Sequence, residues 1–95
     1  MPVYMISYDI PEGNPSYAKV IEFLEEDLEA RRILKSQWLI THEGDSDAIL
    51  SGFKSRVQED DRILVQRVAA RDFASMNPML PEDDLTILLY CEGDD

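Results

Sequence analysis

The side chains that could do chemistry here are few: a carboxylate closing a strand-like run, two adjacent arginines, one histidine and one cysteine. Asp9 ends the run Val3-Tyr4-Met5-Ile6-Ser7-Tyr8-Asp9. A carboxylate in that place is either an oxygen ligand for a hard cation or an ordinary polar residue at a strand end. Arg31 and Arg32 follow a helical, acidic stretch, where they complement the helix dipole or reach a phosphate. His42 stands beside Glu43 and reads as a surface residue rather than a general base. Cys91 is the only cysteine, which rules out an intrachain disulfide and a cysteine-rich zinc site. It comes late in an apolar run with no base beside it, so it reads as a small packed side chain.

These residues sit in a chain of 95 with 20 acidic and 9 basic side chains, a net charge of −11. Clustered lysine and arginine attract a phosphate backbone, and that footprint is missing. A tight nonspecific nucleic-acid binder is therefore disfavoured. A metal-dependent nuclease is not, because a divalent cation neutralises carboxylates locally and engages phosphate itself. Hydrophobic residues make up 44% and charged ones 31%, which suits one globular domain over residues 1–95. There is no leader-like N-terminus and no apolar run of bilayer length, so a cytoplasmic protein without a membrane association is expected.

Several elements position the candidates. In the first run Tyr4, Ile6 and Tyr8 alternate with Val3, Met5, Ser7 and Asp9, so a strand would carry one large apolar face and one that turns polar at Asp9. Asn14-Pro15 makes a helix start, and Tyr17, Val20, Ile21, Leu24 and Leu28 recur at helical spacing. Glu22, Glu25, Glu26, Asp27 and Glu29 form the opposite, solvated face. Ile33 to Thr41 reads as a hairpin breaking near Ser36, with Trp38 and Ile40 on one side and Leu39 and Thr41 on the other. Asp45 or Ser46 caps a second helix with an Ile49, Phe53 and Val57 stripe, closed by Gln58 to Asp61. Ile63 to Val68 is a further strand. Residues 69–84 read as a connector, with a helical turn in 70–76, and Leu85 to Cys91 as a final strand.

That order is expected to give an α+β fold, a ferredoxin-like βαββαβ sandwich with an extra C-terminal strand. Two helices would cover one sheet face and leave Val3 and Met5 on an open one. Pairing of residues 85–91 with a partner's sheet edge would then produce a symmetric homodimer.

Three segments together resemble the CRISPR-associated Cas-two family, whose superfamily includes virulence-associated protein D: the strand ending Tyr8-Asp9, the stretch Ser36-Gln37-Trp38-Leu39-Ile40, and Glu59-Asp60-Asp61-Arg62-Ile63-Leu64-Val65. The resemblance spans roughly residues 3 to 68. It implies a ferredoxin-like homodimer joined through its sheets, acting as a magnesium-dependent nuclease on RNA or DNA or as a structural core of a spacer-integration complex. Asp9 matches the family's metal-ligating aspartate, and its two copies would share Mg²⁺ across the dimer axis. Ser36 matches the family serine and would serve either a backbone hydrogen bond or a phosphate contact near the metal, with Arg31 or Arg32 as phosphate contacts. The loop after the first strand lacks the basic residues of nuclease-active relatives, and Lys19 is the first positive charge. The alternative function is a noncatalytic dimeric module that binds another protein through the acidic helix face or the final strands.

Overall fold

Alternation in the N-terminal run becomes strand β1 (Val3–Asp9), one of the two inner strands of a four-stranded sheet. The computed structural model describes residues 1–90. After β1 come α1 (Pro15–Glu22), a π-helical turn (Phe23–Asp27), β2 (Arg31–Leu34), β3 (Gln37–Thr41), α2 (Ser46–Ser51), β4 (Arg62–Val68), a 3-10 turn (Ala70–Asp72) and α3 (Glu82–Tyr90). The sheet order is β2-β3-β1-β4 and all its pairings are antiparallel. The chain is thus a small α+β domain with a four-stranded antiparallel sheet and three helices, compatible with the ferredoxin-like arrangement.

Register follows from the alternation. Tyr4 pairs with Ile40 and Ile6 with Trp38 on one side of β1, and Tyr8 pairs with Ile63 on the other. These side chains share a face, where they pack with Val20, Phe23, Leu24, Ile49 and Phe53 from the helical layer. Two cross-chain contacts tighten that layer. The Phe23 and Phe53 rings meet edge to face at 4.9 Å, and the Arg56 guanidinium lies 4.0 Å over Phe23 while donating to the Gly52 carbonyl at 2.6 Å. Gly52 has to be glycine here, because a Cβ would stand 2.5 Å from the Phe23 ring.

Helix boundaries differ from expectation in three places. Asn14 makes no side-chain cap; its amide instead donates to Asp61 at 3.3 Å, tying the start of α1 to the loop before β4. The first helix ends through the π-helical turn and Glu29, whose φ of 51° reverses the chain, with the Ala30 N–H reaching back to Leu24 O at 2.8 Å. Arg31 and Arg32 therefore lie in β2, and not in a last helical turn. The second helix is short: Asp45 caps it, accepting from the Ala48 N–H at 2.9 Å, but it stops at Ser51 and residues up to 61 run as turns.

The largest correction concerns the C-terminal segment. Residues 85–90, expected as a strand, belong to α3, with Glu82, Asp83 and Asp84 in its first turn where the helix dipole favours carboxylates. Cys91, the end of the expected strand, lies outside the described residues. Leu85 and Leu89 are one helical turn apart and pack, with Leu80, on Val3, Ile33 and Leu39. Part of the sheet face expected to be open is thus covered by this chain's own helix. The expected hairpin is present, with Lys35 and Ser36 as its two-residue connection.

Candidate active site at the end of the central strand

Asp9 is the last residue of β1, and antiparallel pairing sets it opposite Arg62, the first residue of β4. Their side chains form an ion pair at 3.6 Å, with 77% of the Asp9 side chain and 81% of Arg62 exposed. A pair that open to solvent is worth about 0–1 kcal/mol and leaves the carboxylate available to a competitor.

Ser36 arrives at the same place by a different route. The Tyr8 N–H donates to Ser36 O at 3.2 Å, so the β2–β3 turn rests against the last residues of β1. Between them is a cleft of about 200 Å³ lined by Tyr8, Asp9, Ile10, Glu12, Tyr17, Lys35 and Ser36. Lys35 and Glu12 pair across it at 3.5 Å. Two of the sequence-derived candidates, Asp9 and Ser36, thus line one cleft.

The two arginines do not share a surface. Arg31 pairs with Leu39 in the sheet and Arg32 with Trp38, so alternation sends them to opposite faces. Arg31 turns toward α3 and pairs with Asp84 at 3.5 Å. Arg32 turns toward α1, where its Nη2 donates to the Lys35 carbonyl at 2.7 Å, to the Tyr8 hydroxyl at 3.2 Å and to the Tyr17 hydroxyl at 3.3 Å, and its Nε donates to the same carbonyl at 3.1 Å. Its guanidinium lies 5.0 Å from the centre of the Trp38 ring, and the Trp38 indole N–H donates to the Tyr8 hydroxyl at 3.2 Å. Burial works against the Arg32 charge, but the hydroxyls of Tyr17 and Tyr8 more than offset it, and its pKa is raised.

His42 folds into its own turn, with Nδ1 accepting the Gly44 N–H at 2.9 Å. On the acidic helix face, Asp27 pairs with Arg56 at 3.2 Å, while Glu22, Glu25 and Glu26 border a shallow exposed surface.

Among the described residues, no three His, Cys, Asp or Glu side chains converge as a metal site. Asp9 meets part of the requirement for Mg²⁺, which keeps several waters and takes one or two carboxylates plus phosphate oxygens. It is a hard, accessible oxygen donor, and Glu12, paired with Lys35, is the other carboxylate lining the same cleft. Sequence reasoning missed Arg62, Lys35 and Glu12. Arg62 was available from the register of two alternating strands, since pairing Tyr8 with Ile63 puts Asp9 opposite it. Lys35 and Glu12 reach the cleft through turns that no periodicity encodes. No family model, no curated protein and no solved structure matches this chain.

Proposed function

We propose that the chain is a Cas-two-like, ferredoxin-like homodimer that hydrolyses phosphodiester bonds in RNA or DNA with Mg²⁺ at Asp9. The observation that carries the reading is the exposed Asp9 carboxylate in one cleft with Ser36. Asp9 would hold the cation together with the Asp9 of a second copy. The apolar surface that seats a second copy would include Leu64, which is 56% exposed one pleat from Asp9. When bound, Mg²⁺ polarises a phosphoryl oxygen and activates a water.

The chain's own groups do the rest. Asp9 would give up a weak ion pair to hold the cation, which would leave Arg62 at the rim able to meet a phosphate. Ser36 offers a hydroxyl to a non-bridging phosphate oxygen, and Lys35 supplies positive charge to a surface otherwise acidic. Cleavage of single-stranded RNA and duplex DNA with Mg²⁺ or Mn²⁺ tests the reading. Asp9→Asn is expected to abolish metal-dependent cleavage while leaving the fold and dimer intact; a variant that cleaves like the parent removes the proposal.

The net charge of −11 favours a second reading, a noncatalytic dimer whose acidic surface binds a basic protein. It predicts a stable complex with a basic protein from the same cell and no metal-stimulated cleavage.

A further inference from the structure

Arg32 touches the turn of its own hairpin, strand β3 beside it, the end of β1 and α1. Its fork closes on the Lys35 carbonyl through two N–H groups, at 2.7 and 3.1 Å. The same Nη2 meets the hydroxyls of Tyr8, at the end of β1, and Tyr17, in α1. Its flat face lies over Trp38 in β3. Lys35 and Ser36 are the whole of the β2–β3 connection, so holding the Lys35 carbonyl fixes the turn that carries Ser36. Tyr8 directly precedes Asp9, so holding its hydroxyl fixes the strand end that carries the carboxylate. The Tyr8 hydroxyl also donates directly to the Lys35 carbonyl at 3.3 Å, and Arg32 braces that junction between the two walls of the cleft from the side.

We propose that Arg32 is a positioning residue, whose guanidinium clamps the β2–β3 turn to the end of β1 and so fixes Ser36 relative to Asp9. The role needs arginine itself. Lysine keeps the charge but has no planar fork with which to hold a carbonyl through two N–H groups while stacking on an indole. The proposal rests on the cleavage reading for its kinetic consequence, but the clamp has its own readout. The Tyr8 N–H to Ser36 O bond lies at the junction being clamped, so exchange of the Tyr8 amide reports the junction directly.

The test compares wild type, Arg32→Lys and Asp45→Ala, the last losing the α2 cap at the opposite end of the sheet. In Arg32→Lys, Tyr8 amide exchange is expected to quicken about tenfold relative to the Ile49 amide of α2, as a local opening does. In Asp45→Ala the Tyr8 amide is expected to keep pace with global stability. With Mg²⁺ saturating, Arg32→Lys is expected to lower kcat about tenfold to a hundredfold with KM nearly unchanged, as small misplacements of reacting groups do. Tyr8 exchange that stays in step with Ile49 in Arg32→Lys overturns the clamp. Selective Tyr8 exchange with an unchanged kcat overturns the positioning role. A wild type that does not cleave overturns the nuclease reading, and the exchange comparison still decides the clamp.

Discussion

The two faces of the sheet are built from the same alternating strands and are covered very differently. Toward α1 and α2, Tyr4, Ile6, Tyr8, Trp38 and Ile40 join residues from both helices in one continuous cluster. Toward α3, a smaller cluster covers Val3, Ile33 and Leu39, while Met5 is only partly buried and Leu64 is largely exposed. The covering helix is itself the reason. It presents Leu85 and Leu89 to the sheet, with Leu88 partly buried beside them, but leaves Ile87 68% exposed, because Ile87 falls outside the three-and-four stripe those leucines make. A consecutive apolar run buries one side of a helix and wastes the other. The first face is therefore expected to carry the domain's global stability, and the second to open locally before it.

The sharpest way to break this contrast is a pair of truncations. Phe53→Ala, at a side chain that is 1% exposed, should cost about 3–5 kcal/mol and lower the denaturant midpoint of the whole domain. Leu89→Ala, in the thinner layer, should cost about 2 kcal/mol and mainly speed amide exchange in α3. Equal losses from both, with α3 amides exchanging only by global unfolding, would mean the faces are energetically alike.

The smallest expected effect is a pH dependence confined to the first face. Asp61 accepts the Gln58 N–H at 2.7 Å, faces the buried Ser16 hydroxyl, which stops short of a full hydrogen bond, and accepts from Asn14. The Gln58 N–H, then Ser16, then Asn14 favour the carboxylate against a modest opposing burial, and its pKa is lowered. A folded-state value below the unfolded one of about 3.9 means this contribution is complete above that pH and is lost as pH falls through the folded value. Urea midpoints at pH 5 and pH 3 should fall further for wild type than for Asp61→Asn. Parallel falls would show that this loop does not help hold the first face.

The same contrast explains what could be read before the structure. Elements on the first face announce themselves: Tyr4-Ile6-Tyr8 at period two, Val20 and Leu24 at helical spacing, Trp38 and Ile40 at period two, although no Gly, Pro or Asn marks the turn before them. The segment Leu85-Thr86-Ile87-Leu88-Leu89-Tyr90 suits a strand by composition, and an apolar run of that length does not distinguish strand from helix. Three acidic residues ahead of it and the chance to cover Val3 and Leu39 accompany the helical outcome. At the candidate site, Asp9 stands out by its place at a strand end, and Ser36 only through the family resemblance. Their common cleft was not legible, because the turn and the strand end meet through side chains such as Arg32, which reads in sequence as complementing a helix dipole or reaching a phosphate and instead turns inward to hydroxyls and a carbonyl.

Strand β1 is paired along both edges, to β3 over Val3 to Ser7 and to β4 over Val3 to Asp9. Substitution and insertion would therefore have unlike fates in its evolution. Replacing Asp9 changes one exposed side chain and its ion pair with Arg62 without disturbing the fold. Adding or removing one residue between Val3 and Tyr8 would exchange inside for outside along two ladders at once, sending Tyr8 to solvent and a carboxylate toward the helices. Descendants of this chain are free to change the side chain at position 9, but not to move it.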